Sequence, residues 1–168
     1  MGSTTEALTL TSVDTDNGVI TVATTDQNIV TTVVDSSGNN TALNLTTTDT
    51  GNISLAGVTA GSGTVTISSA GTITNVTANT TTEVTAGTFT VSAADTVGAS
   101  GTNNAIDIDA TTMDITSAGA VYADATGSGG SAITVDAAAG AITLGSTTEA
   151  LTLTSVDTDN GVITVATT

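Results

Sequence analysis

Residues 63 to 94 divide into four octads, GTVTISSA, GTITNVTA, NTTTEVTA and GTFTVSAA, each with Thr-x-Thr at its second and fourth positions and alanine at its last. A cadence of nine follows over 132 to 158, in AITVDAAAG, AITLGSTTE and ALTLTSVDT. Segments this short hold one strand and one turn and leave no length for an ordinary helix. Alternation within them puts Val65 and Ile67 on one face and Thr64 and Thr66 on the other, the pattern of a half-buried strand. Gly63, Gly71, Gly87, Gly119 and Gly140 supply permissive backbone at the corners.

Strand-plus-turn units of this kind fit a β-solenoid, an antiparallel sandwich or a fibril-type stack. Near-identical segments favour the solenoid. Parallel coils place equivalent positions on one another, so Val65, Ile73 and Phe89 are expected to form an internal ladder, whereas a sandwich needs different strands at its edges and centre. Two or three segments per coil predict coils of roughly 16 to 27 residues rising ~4.8 Å each. The stretches 95 to 105 and 123 to 131, rich in Gly, Ser, Ala and Asn, read as longer loops leaving the coil. Asn75 and Glu83 stand where sister octads carry apolar residues, which predicts a bend there or an asparagine held by backbone groups. The fold class is therefore all-β, a parallel β-solenoid.

A longer repeat encloses the short ones. Residues 2 to 25, GSTTEALTLTSVDTDNGVITVATT, return unchanged as residues 145 to 168. Residues 1–168 thus read as a single module, one 143-residue tandem repeat with a 24-residue overhang. Folding does not require identity of this kind, because cores tolerate many apolar exchanges; it points to recent duplication or to selection for interchangeable units. Met1 stands where the second copy has Leu144, as at a cut in a longer array; a natural chain with a duplicated end is the other reading. Identical passages are expected to occupy equivalent coil positions.

Composition narrows the function. The chain has no Lys, Arg or His and 16 acidic residues, for a net charge of -16. Phosphate contacts need Lys or Arg, so nucleic acid is excluded as a partner, and so is attraction to an anionic membrane. No apolar run approaches the ~20 residues that span a bilayer, so direct membrane insertion is not expected. Threonine fills 43 positions, and with Val and Ile it favours strands. The apolar fraction of 38% is spread along the chain, enough to bury a core.

The stretch GTVTISSAGTITNVTANTTTEVTAGTFTVSAADTVG (63 to 98), with NAIDIDATTMDITSAGAVYADAT (104 to 126), resembles the repeats of filamentous-haemagglutinin-like adhesins and other giant secreted bacterial exoproteins. The resemblance covers about two thirds of the chain. It implies a right-handed β-helix, an extracellular or cell-surface location, and a stalk or filament in which neighbouring copies of the repeat stack head to tail. The chain departs from that family in lacking its amino-terminal secretion domain and in having no Lys or Arg.

Among chemical motifs, Asp14, Asp16, Asn17 and Gly18 form DTDNG, which returns as Asp157, Asp159, Asn160 and Gly161. Alternating carboxylates before a glycine turn can wrap oxygens around a hard cation such as calcium. An EF-hand is excluded because its bidentate Glu would fall at Thr25. An Asx-rich turn explains the motif without a metal. Asp107 and Asp109 share one strand face, expected to point outward. They are the one tempting carboxylate pair for glycosidase chemistry, but no His, Cys or Lys accompanies them, so no enzyme is expected. Sequons at Asn39, Asn44, Asn52, Asn75 and Asn79 allow glycans on an exported chain. Thr-x-Thr at Thr9 and Thr11, Thr64 and Thr66, Thr72 and Thr74, Thr80 and Thr82, and Thr88 and Thr90 resembles the ranks of β-helical antifreeze proteins, which makes ice binding the alternative to a structural fibre.

Overall fold

The computed structural model describes residues 6–76 and 80–168. The chain winds as a β-solenoid of about 7 turns, with 55% of its residues in parallel strands. The first three coils have three sides each. β1 (Leu8–Leu10), β2 (Val13–Asp14) and β3 (Ile20–Thr25) form the first; β4 (Ile29–Thr31), β5 (Val34–Asp35) and β6 (Leu43–Thr48) the second; β7 (Ile53–Leu55), β8 (Val58–Thr59) and β9 (Thr64–Ser68) the third.

The corners then move. β10 (Ile73–Asn75) opens the fourth coil, whose other two sides are covered by one long strand, β11 (Val84–Ala94), and β12 (Ile106–Ser117) does the same in the fifth. Afterwards the first two sides merge, so that β13 (Val121–Ala125), β15 (Ile142–Ser146) and β17 (Ile163–Thr167) alternate with β14 (Ser131–Ala137) and β16 (Leu151–Thr158) on the third.

Along the first side the ladder runs Leu8, Ile29, Ile53, Ile73, Val97, Val121, Ile142, Ile163, in steps of 20 to 24 residues. This agrees with the expected coil length. On the third side Leu43, Val65, Phe89, Met113 and Ile133 stack in register, with Leu45, Ile67, Val91, Ile115 and Val135 two residues on. All of these third-side residues are buried, and each such side chain contributes about 1.5–3 kcal/mol relative to exposure.

Buried hydroxyls finish the corners. The Thr31 hydroxyl donates to the Ala56 carbonyl at 2.8 Å and accepts from the Ala56 amide at 2.8 Å. Thr47 Oγ1 and Ser69 Oγ both donate to the Gly51 carbonyl, at 2.7 and 3.1 Å. Asn28 Oδ1 accepts from the Asn52 amide and Asn52 Oδ1 from the Thr72 amide, at 2.8 and 2.7 Å, so an asparagine ladder carries the pairing around a bend. Polar side chains in the corners thus satisfy backbone groups that the ladders leave over.

Several expectations need correction. The octads are not one strand and one turn each: three make one coil, so Val65 meets Phe89, while Ile73 belongs to the first-side ladder between Ile53 and Val97. In the third octad Asn79 lies outside the described residues, and strand begins only at Val84. Residues 123–125 are strand rather than loop, and Val97 bridges the coils on either side. Asn75 is held by backbone as expected, its Nδ2 donating to the carbonyls of Asn103 and Ala105 at 2.9 and 3.4 Å.

The repeated passage adopts two arrangements. In the first copy Leu8–Leu10 lies on the first side and Ile20–Thr25 on the third; in the second, Leu151–Thr158 lies on the third side and Ile163–Thr167 on the first. The expectation of equivalent coil positions is therefore not met. Inward residues are nevertheless the same, because strand alternation depends on sequence and not on which side the strand occupies. Thr11 and Ser12 turn the corner between β1 and β2, and the second copy of Thr11, Thr154, is the unpaired residue of a bulge in β16.

Phe89 is fully buried between Val65 and Met113. Phe89→Ala should cost about 3–5 kcal/mol of stability in denaturant unfolding, by transfer loss and cavity formation. Thr90→Ala, on the opposite face of the same strand, should cost under ~1 kcal/mol.

Candidate functional site

A solenoid of this kind has a bare surface except where its coils are interrupted. The interruption lies between the first and second sides of coils four and five, where β7 and β8 are two residues apart but β10 and β11 are separated by 76–83 and Val97 and β12 by 98–105. Asn75, at the end of β10, ties that strand to the second connection through its bonds to Asn103 and Ala105.

The second side presents Glu83, at the end of the first connection, then Asp107 and Asp124, on three successive coils. The Glu83 amide donates to the Asp107 carbonyl at 2.9 Å, Asp107 pairs with Asp124, and Asp124 pairs with Gly145. Glu83 is 3% exposed and Asp107 7%. Glu83 has a hydrogen-bond partner, since its Oε2 accepts from the Asp107 amide at 2.8 Å. The carboxylate of Asp107 has none among the described residues. Asp107 and Asp124 line a groove of about 320 Å³, with Thr80 and Asn103 from the insertions on one flank and Gly145 and Ala166 further along.

Like charges on neighbouring coils, under cover and with no cationic side chain in the chain, must shift toward the protonated form. Burial raises Glu83 to about 7, Asp107 adding to the rise and the hydrogen bond from the Asp107 amide opposing it. Burial, and after it the charge of Asp124, raises Asp107 to about 6. Burial raises Asp124 as well. Perturbed acids in a cleft mark a candidate site.

The residues singled out from sequence lie elsewhere or only partly here. Asp107 and Asp109 do share the outward face of β12, but Asp107 is covered and Asp109 exposed. The DTDNG turns are at opposite ends of the solenoid. Asp14 pairs in register with Asp35, and Asp157 with Asp136. The first turn is closed by Thr15, whose Oγ1 accepts from the Gly18 amide at 2.9 Å, leaving Asp14, Asp16 and Asn17 exposed. In the second, the Thr158 hydroxyl reaches the Gly140 carbonyl at 2.9 Å, and Asp159 and Asn160 are exposed. Among the described residues no three acidic side chains converge as a metal-holding group.

Of the sequons, Asn39 is exposed, Asn44 and Asn52 are half-buried, Asn75 is engaged by backbone, and Asn79 lies outside the described residues. The threonine ranks are short. Thr64, Thr88 and Thr112 align before Ala132 ends the row, and Thr66 and Thr90 lie between Asn44 and Asp114.

Asp124 was missed, and Glu83 was noted only as a polar residue at an apolar octad position, because acids 24 and 17 positions from Asp107 look unrelated until the coil length is known. No family model matches the chain, and no curated protein or solved structure is similar to it.

The buried acids give stability a definite pH dependence. Folded Glu83 keeps its proton to about 7 where the unfolded chain releases it near 4.5, and Asp107 behaves likewise between 3.8 and about 6. The folded state binds more protons in these windows, so stability is greatest below them and declines as pH rises toward 7. Thermal melting should fall by several degrees from pH 4.5 to pH 7.5. Glu83→Gln, which keeps an acceptor for the Asp107 amide, should raise the pH 7.5 value and flatten the slope; Asp114→Asn, on an exposed position, should leave the slope unchanged.

Proposed function

We propose that the chain is a structural module of a long, acidic, extracellular β-solenoid fibre, an adhesin stalk or matrix filament, and not an enzyme. One observation carries the reading: both ends of the solenoid carry the same 24-residue passage with the same residues turned inward. End coils of a solenoid expose unpaired strand edges, and in arrays each edge is covered by the next unit. The function of such a module is geometric. It holds what it carries at a fixed distance, with a stiffness that comes from parallel pairing along the axis. The resemblance to filamentous-haemagglutinin-like repeats points the same way, as does the threonine-rich, acidic surface that keeps separate fibres apart. Ice binding has less support, since Asn44, Asp114 and Ala132 interrupt the threonine ranks.

Neighbouring copies are the proposed partners, in a heterologous, non-closing contact between β16–β17 of one chain and β1–β3 of the next. Repulsion between chains of charge -16 opposes this at low salt, and screening within ~10 Å at 0.1 M relieves it. Electron microscopy should show monomers at low ionic strength. At high ionic strength it should show fibres with an axial repeat of about 35 Å, which is roughly seven coils at ~4.8 Å. Val165→Pro, which removes an amide from the terminal edge, should stop growth. Monomers that persist at high salt and millimolar protein would show that the ends do not self-associate and leave fibre length to covalent repetition alone.

A further inference from the structure

The acidic groove has a direction. Its floor is one outward ladder, Asp107, Asp124, Gly145, Ala166, so two carboxylates at one end are followed along the axis by two positions with almost no side chain. The missing side chain at Gly145 makes room for the Asp124 carboxylate, for a Cβ there would fall 2.1 Å from Asp124 Oδ1. Asp107 is more than nine-tenths buried, faces the groove, and has no hydrogen bond to its carboxylate among the described residues. Glu83, on the coil before, is occupied by the Asp107 amide. The groove thus offers unsatisfied negative charge at one end and methyl and backbone surface at the other.

We propose that this groove binds an alkylammonium group, with the ammonium between Asp107 and Asp124 and the hydrocarbon chain lying along Gly145 and Ala166. A bare metal ion suits it less. Calcium takes 6–8 oxygens at ~2.3–2.6 Å, and only two free carboxylates front this space. Its volume of about 320 Å³ also far exceeds an ion, whereas a water's share of liquid is ~30 Å³. An ammonium has three N–H donors, and four or five methylenes reach about one coil, ~4.8 Å, along the groove, from the Asp124 carboxylate over Gly145 toward Ala166. The chain contains no lysine, so the group must come from outside, either as a free amine or as a lysine side chain on a partner.

The test is a titration of the folded chain at pH 7.5, followed by amide chemical shifts of Asp107, Asp124 and Gly145. The probes are n-butylamine, ammonium chloride, calcium chloride and Nα-acetyl-lysine methylamide, at matched ionic strength. Butylamine should bind with saturation and at least tenfold more tightly than ammonium, because only butylamine adds hydrocarbon contact with the groove beyond the carboxylates. Asp107→Asn with Asp124→Asn should weaken it at least tenfold. Asp114→Asn with Asp136→Asn, which removes the same charge from another face, should not. Circular dichroism establishes that the variants fold, and the asparagines relieve repulsion rather than create it. Binding by butylamine and the lysine derivative alike identifies a group that a partner can present, and binding by butylamine alone identifies a free amine. Equal weakening by both double variants would show attraction to net charge only. Equal affinity for ammonium and butylamine, or saturation of these amides by calcium and not by amine, would overturn the proposal.

Discussion

Hydrogen bonding along the axis is the interaction on which everything else in the molecule depends. On the first side one column runs the length of the solenoid. The amides of Leu8, Ile29, Ile53, Ile73, Val97, Val121 and Ile142 donate to carbonyls of the next coil, at 2.8 to 3.0 Å. Parallel pairing in this direction leaves each coil to fix the position of the next, and it stacks every inward residue on its counterpart. Interchangeable aliphatic residues then suffice for a core, which is why so repetitive a sequence can fold. The same geometry frees the perimeter: residues 98–105 depart radially between Val97 and Ile106 while the column continues through Val97 to Val121. The acidic groove exists because an insertion costs the axial pairing so little.

A second consequence follows from the repeat not being a whole number of coils. From Leu8 on the first side, six ladder steps lead to Ile142, and Leu151 then lies on the third side. The first copy pairs through its upper edge and the second through its lower edge. An array built on these pairings would set each repeat over its predecessor with the sides exchanged. Thr11 and its copy Thr154 make this possible, serving as a corner residue in one setting and as a bulge in the other.

The fold was largely legible because period-two alternation and short segments bear directly on backbone geometry. Val65 and Ile67 inward, Thr64 and Thr66 outward, and a coil of twenty-odd residues all follow from local rules. The assignment of segments to sides was not legible. Ile73 and Phe89 occupy like positions in their octads, yet one lies on the first side and the other on the third. Which of them shares a ladder with Val65 is decided by how many octads close a coil, a property of the whole ring. The groove was hidden for the same reason. Asp107 drew attention only through its neighbour Asp109, whereas its real partners, Glu83 and Asp124, lie one coil away on either side.

Charge explains why these three acids are exceptional. The chain has no cationic side chain, so every other carboxylate must be placed where water can solvate it, and turns and outward strand positions do this at Asp14, Asp16, Asp109 and Asp114. At Glu83 and Asp107 burial removes much of that water, while coil stacking holds these groups and Asp124 on adjacent rungs. A structural role alone would favour threonine or asparagine there, as at Thr85 and Asn44 in outward positions on other coils. The fold instead keeps acids whose burial works against it at neutral pH. Proton uptake recovers this cost at lower pH, and because the chain has no cationic side chain, no group of its own can offset it at neutral pH.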